Sequence, residues 1–222
     1  QFNDYKDTYN DYIQYKEQNS AMRKAKKIIK DFNGDTHKTV LFLSYKAENW
    51  NTMDNIYKKY CQEKDIKVIV QCVPYYYKNI DGTFEKYIDG GMYPEYVTIT
   101  PIEDYNYVNE NPDVIVFQYP YDNYNSAGTT DPVFYSYNLA SHTQKLIYIP
   151  YFRTDEIDEN DMRAYTNMDA YVTMPGVVYA DKVIVQSEEI RKLYIKKLTD
   201  FFGEESEDEW EDKIEAEDIG GI

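Results

Sequence analysis

The chain has 222 residues, of which 42% are hydrophobic, and a formal net charge of −16. That length supports one generous domain with a full core and no staples. No apolar run approaches the ~18 residues of a membrane-spanning helix, and the acidic excess argues against nucleic acid or an anionic membrane as the main partner. Cys61 and Cys72 have no Cys-x-x-Cys spacing and suggest a reducing, cytoplasmic compartment. The polar, tyrosine-rich start has no signal-peptide pattern, and because the chain begins at Gln1 its true start is left open.

Residues 4–32 read as one long helix. Tyr5, Tyr9, Tyr12 and Ile13 share a face, and Met22, Ala25, Ile28, Ile29 and Phe32 continue an apolar stripe at helical spacing. The stripe is expected to pack on the chain's own sheet, with pairing to a second chain as the rival. The basic run Arg23-Lys24-Ala25-Lys26-Lys27 reads as a solvated face, and Gly34 ends the helix.

From Lys38 the period changes. Continuous apolar runs at 40–43, 66–70, 114–117, 146–149 and 183–185 are too short for helices, and they predict strands buried on both faces. Helical segments are predicted between them at 50–63, in parts of 101–110 and 131–143, at 165–179 and at 187–202. The alternation indicates an α/β, Rossmann-like, doubly wound fold with a mainly parallel sheet of about five strands. Ser187-Glu188-Glu189-Ile190 marks a capped helix start. Residues 74–100, with Asp81-Gly82 and Gly90-Gly91, read as a hairpin or flap. The expected organisation is a helix at 1–35, the α/β domain at 36–203, and an acidic tail or interdomain linker at 204–222.

In such a sheet ligands bind outside the carboxyl ends of the strands. There the strands deliver Ser44 to Trp50, Val73 to Lys78, Gln118 to Asn125, Pro150 to Arg153 and Gln186 to Glu189, a concentration of aromatic and hydrogen-bonding groups. No glycine-rich dinucleotide or phosphate loop occurs, and no cofactor is expected. His37 and His142, the chain's two histidines, lack partners at ligand spacing, so no metal is expected either, and His142 reads as a surface or capping residue. The remaining candidates are Lys46 and Arg153 for a phosphate or carboxylate, and Asp122 for a sugar or polyol hydroxyl, as ligand or base. An Asx-turn after Pro120-Tyr121 is the alternative for Asp122.

At these loops the chain resembles a known family. "LFLSYKAENWNTMDNIY" (41–57), "PYYYKNIDGTF" (74–84), "YPEYVTITPIEDY" (93–105), "NPDVIVFQYPYDNYN" (111–125) and "ADKVIVQSEEIRKLYI" (180–195) occur in that order. Together they look like the N-terminal half of the CDP-glycerol glycerophosphotransferase-like proteins of Gram-positive bacteria, which are similar to two-domain GT-B glycosyltransferases. The resemblance covers roughly residues 38–213. It implies an acceptor-side domain for a polyol-phosphate or sugar acceptor, positioned by Lys46, Trp50, Tyr75, Tyr121, Asp122, Asn123 and Arg153, with Asp122 as the candidate catalytic residue. It also implies a C-terminal donor-binding domain, missing from this chain, and peripheral association of the full-length protein with the inner face of the cell membrane. No turnover by this chain alone is then expected. Where the family carries a His-Pro-Asp-like strand start, this chain has Asn111-Pro112-Asp113.

Overall fold

A computed structural model describes residues 9–32, 37–87, 89, 91–155, 157, 158 and 160–220. A long helix, α1 (Tyr9–Phe32), precedes strand β1 (Lys38–Ser44), helix α2 (Asn51–Cys61) and strand β2 (Ile66–Cys72). The hairpin β3 (Tyr75–Lys78) and β4 (Phe84–Tyr87) follows, then α3 (Tyr107–Glu110), β5 (Val114–Phe117), β6 (Gly128–Thr130), α4 (Ser136–Ser141) and β7 (Lys145–Tyr148). The remainder is α5 (Met162–Asn167), α6 (Asp169–Val172), α7 (Pro175–Tyr179), β8 (Lys182–Val185), α8 (Glu188–Phe202), α9 (Glu207–Lys213) and β9 (Ile214–Ala216).

The described residues form a six-stranded parallel sheet in the order β2-β1-β5-β7-β8-β9, which is a Rossmann-like arrangement. Its central strands β1, β5, β7 and β8 are buried on both faces because each carries a continuous apolar run covered by helices, as the sequence predicts. Leu41, Leu43, Ile115, Phe117, Leu146 and Tyr148 face one layer, while Val40, Phe42, Val116, Ile147 and Ile149 face the other. A second, antiparallel sheet, β4-β3-β6, contains the expected hairpin. The predicted helix at 165–179 is broken into α5, α6 and α7, the last opening on Pro175.

Two parts of the expected organisation change. Residues 204–216 belong to the fold: α9 buries Trp210 completely, and β9 pairs parallel with β8. Two apolar anchors, Trp210 and Ile214, outweigh the acidity of the stretch around them. The termini of the expected 1–35 helix, residues 1–8 and 33–35, lie outside the described residues.

The second half of α1 is also turned the other way round. Arg23 Nη1 reaches the Asp181 carboxylate at 2.7 Å, and its Nε and Nη2 donate to the Ala140 carbonyl. Lys26 Nζ donates to Asn111 Oδ1 and the Ser141 carbonyl, and Lys30 Nζ to Asp113 at 2.7 Å. Asp181, Asn111 and Asp113 lie just ahead of β8 and β5, so α1 lies along the amino edge of the sheet. The apolar stripe therefore points outward, with Ile28 68%, Ile29 60% and Phe32 90% exposed.

The start of α8 is capped as expected, with Ser187 Oγ accepting from Ile190 N at 3.3 Å. Ser187→Ala is expected to cost about 1 kcal/mol in chemical denaturation, because the amide of the buried Ile190 in the first turn loses its partner.

Candidate functional site

After β1 the chain crosses to β2 on one side, then returns to β5 on the other. The strand order thus reverses between β1 and β5, and the crevice outside their carboxyl ends is the expected ligand position. The loops after these strands face each other there. Gln118, fully buried directly after β5, joins them. Its Oε1 accepts from Tyr45 N at 3.0 Å and Ser44 Oγ at 3.4 Å, and its Nε2 donates to the Asn49 carbonyl and Thr52 Oγ1, both at 2.9 Å. All its hydrogen-bonding capacity is spent on closing the floor of the crevice.

Tyrosines cover this floor. The Tyr45 ring lies 4.8 Å from Tyr75, 5.1 Å from Tyr119 and 5.0 Å from Tyr151, measured between centroids. Tyr121 packs edge-on against Tyr119 at 5.2 Å, and its hydroxyl meets that of Tyr151 at 3.5 Å. From the antiparallel sheet, the Tyr75 and Tyr77 hydroxyls meet at 3.2 Å. The Lys46 ammonium stands 5.4 Å from the Tyr45 ring centroid and 5.5 Å from that of Tyr75, within cation–π range, and 3.4 Å from Glu48. Burial pushes the phenols of Tyr45, Tyr119 and Tyr121 well above their ordinary range, so each stays protonated and able to donate.

Lys46 and Tyr121 are therefore brought together around Tyr45 and Tyr151, while Tyr75, 2% exposed and packed by Tyr45, Tyr77 and Tyr87, supports the Tyr45 ring from within the core. Asn123 stands at the rim, its carbonyl accepting from Lys78 Nζ at 2.8 Å; the same ammonium holds the Asn125 carbonyl at 2.7 Å and shapes the loop. The loop is also pressed from behind by α7. Gly176 N donates to the Pro120 carbonyl at 2.8 Å, and a Cβ at Gly176 would stand 2.4 Å from Pro120 Cα, so only glycine permits this approach.

Asp122 lies behind the tyrosine layer, 5% exposed and in the left-handed backbone region at φ +48°. Its Oδ1 accepts from Ser136 N at 2.9 Å and its Oδ2 from Ser136 Oγ at 2.8 Å. This caps the first turn of α4 from 14 residues away and is not an Asx-turn. Burial outweighs the two Ser136 bonds and raises the carboxyl to about 7.

Two candidates sit elsewhere. Trp50 is a core residue, 2% exposed, packed on Phe42, Tyr57 and Tyr93, with Nε1 donating to Asp54 at 3.1 Å. It opens α2 in helical conformation, which turns its side chain inward. Arg153 donates to the Gly220 carbonyl at 3.0 Å and lies 3.9 Å from Asp218, tying down the C-terminal segment. The central residues absent from the expected set are Tyr45, Gln118, Tyr119 and Tyr151. Their signal is position, since each falls within three residues of the end of a buried strand.

His142 caps the end of α4, with Nδ1 at 2.9 Å from the Asn138 carbonyl. Among the described residues no group of three or more His, Cys, Asp or Glu side chains is placed to hold a metal ion, and no helix is long and apolar enough to cross a membrane. No protein-family model, no curated protein and no solved structure matches the chain.

Proposed function

We propose that the tyrosine-covered crevice binds a small hydroxyl-rich ligand carrying an anionic group, a polyol phosphate or a sugar phosphate. On this reading the chain is the acceptor-side domain of a transferase of the CDP-glycerol glycerophosphotransferase-like kind. The observation that supports it is the Lys46 ammonium held over the Tyr45 and Tyr75 rings at the point where strand order reverses. An ammonium anchors a phosphate, flat rings lie against the C–H face of a polyol, and protonated phenols pair with its hydroxyls. The transferase part rests on the five loop segments that resemble that family. In-line transfer would require a second domain presenting the donor across this crevice.

A non-enzymatic glycan-binding module is the second reading, and the state of Asp122 favours it. A general base must reach the proton it takes, and both Asp122 oxygens are engaged by Ser136 behind the tyrosines. In both readings Asp122 holds the loop that carries Tyr121.

Calorimetric titration with glycerol 3-phosphate, glycerol and CDP-glycerol tests the proposal. Glycerol 3-phosphate is expected to bind more tightly than glycerol, and Lys46→Gln to weaken it about tenfold, the loss of one charge-assisted contact worth ~1.4 kcal/mol. A polyol phosphate whose affinity ignores Lys46→Gln at every site it occupies would sink the assignment. Turnover of CDP-glycerol by these 222 residues would overturn the need for a second domain.

A further inference from the structure

At the opposite edge of the sheet, a cavity of about 1010 Å³ lies between the last turns of α1 and the starts of β1, β5 and β7. Lys26, Lys27, Lys30, Lys38 and Lys145 line it. Among the described residues, three carboxylates, Asp31, Glu110 and Asp113, share its wall, which leaves a net of two positive charges there in a chain whose total is −16. Cations gathered in one concavity of an otherwise acidic surface focus the potential there and attract anions.

The lysines divide into two groups. Lys26 is committed to Asn111 and Ser141, and Lys30 to Asp113, whose Oδ2 also accepts from Thr39 N. These pairs build the wall. Among the described residues, no carboxylate pairs with the side-chain ammonium of Lys27, Lys38 or Lys145. Lys27 projects from α1, while Lys38 and Lys145 begin β1 and β7, strands that flank β5 in the sheet. Three ammonium groups from three elements thus border one space. Ile29 and Val114 give it an apolar side, and Asn109 and Gln144 bring amides to it.

We infer that this cavity is a second ligand site, for a phosphate group gripped by Lys27, Lys38 and Lys145. Phosphate suits it because each compact ammonium can take a separate oxygen from its own direction. β1 spans seven residues, roughly 20 Å, so the site is remote from Lys46 and independent of the function proposed above. The phosphate has two chemical sources, a free phosphate ester or the headgroup of a lipid. The exposed Ile28 and Phe32 beside the cavity make the second worth separating from the first.

Phosphorus NMR of inorganic phosphate, with and without the protein at low salt, reads binding directly. Saturable broadening is expected, with affinity falling at least about tenfold in the double variant Lys38→Gln/Lys145→Gln. Lys24→Gln/Lys67→Gln removes the same two charges from exposed positions outside the cavity and is expected to change affinity by less than about twofold. If the first double variant does not fold by thermal melting, the exposed Lys27→Gln takes its place, with a smaller loss. Absence of saturable broadening, or equal losses in the two double variants, overturns the site. Sedimentation with vesicles of phosphatidylglycerol and phosphatidylcholine in equal parts separates the sources. Vesicle binding competed by inorganic phosphate and lost in Lys38→Gln/Lys145→Gln supports a lipid headgroup. Phosphate binding without vesicle binding supports a free ester, and vesicle binding that the variant leaves intact counts against the cavity.

Discussion

Asp122→Asn is expected to stabilise the protein by about 3 kcal/mol above pH 7, roughly 6–12 °C in Tm, and to leave it unchanged near pH 3. The folded carboxyl titrates at about 7 against 3.8 for the unconstrained group. Between those values the native state holds a proton that the unfolded state has lost. The wild type therefore loses stability as pH rises through that window and carries the whole burial penalty above it. Asparagine is neutral throughout and keeps both contacts: its carbonyl accepts from Ser136 N, and Ser136 Oγ accepts from its amide. It also tolerates the left-handed backbone at this position better than most residues. Thermal melts of the two proteins from pH 3 to 9 check this, and parallel curves would mean the carboxylate is paired or hydrated in solution. If Asp122 does take part in catalysis, the same substitution would lower activity while raising stability, the usual trade-off at a working site.

Lys213→Ala is expected to destabilise by about 3 kcal/mol, whereas Lys213→Met should cost less than about 1 kcal/mol. Lys213 is buried at the end of α9, donating to Tyr12 OH at 2.8 Å and the Val178 carbonyl at 2.7 Å, with its ammonium 4.7 Å and 4.8 Å from the Tyr12 and Trp210 ring centroids. Alanine removes the stem and leaves both partners and a void, while methionine refills the volume without a charge to desolvate. Burial lowers the Lys213 amine to about 7, against 10.5 unconstrained. The unfolded state then binds more protons than the native between pH 7 and 10.5, so this residue makes the wild type gain stability as pH rises through that range. Lys213→Met should accordingly compare best with the wild type near pH 6 and lose ground towards pH 10. Denaturant titrations of the three proteins at both pH values check it; equal losses for alanine and methionine would assign the cost to the two hydrogen bonds alone.

The parallel strands β1, β5, β7 and β8 were legible because burial on both faces writes an unbroken apolar run into the sequence, and the edge strand β2 because its run is interrupted only by the exposed Lys67. β9 was not legible. It has three residues, one of them Glu215 paired with Lys182, inside a stretch whose acidity dominates any local average. β6, Gly128-Thr129-Thr130, is equally short and exists only through its pairing with β3. The outward apolar stripe of α1 was hidden for a different reason. Periodicity shows that Met22, Ile29 and Phe32 share a face, yet the face that docks was chosen by carboxylates and carbonyls some 80–160 residues away. At the candidate site, sequence placed these loops after the carboxyl ends of the parallel strands, where the structure has them. It could not tell a ring that enters the crevice, such as Tyr121, from one that turns into the core, such as Trp50, because that depends on whether the residue continues the loop or starts a helix.

The way α1 is held has a consequence for how the chain acquires its shape. Tyr12 and Lys16 both bond Glu209, 197 and 193 residues further along, and Lys213 returns the contact to Tyr12 across 201. During synthesis α1 leaves the ribosome well ahead of every group that seats it. Its basic face waits for partners at Asn111 to Asp181, and Tyr12 and Lys16 wait for Glu209 on α9; closing so long a loop is entropically slow to be rewarded. α1 is thus made before the sheet but seated after it, a buckle whose two halves lie at opposite ends of the described residues. A lesion in α9 would be felt first as a loose N-terminal helix, far from it in sequence and touching it in space.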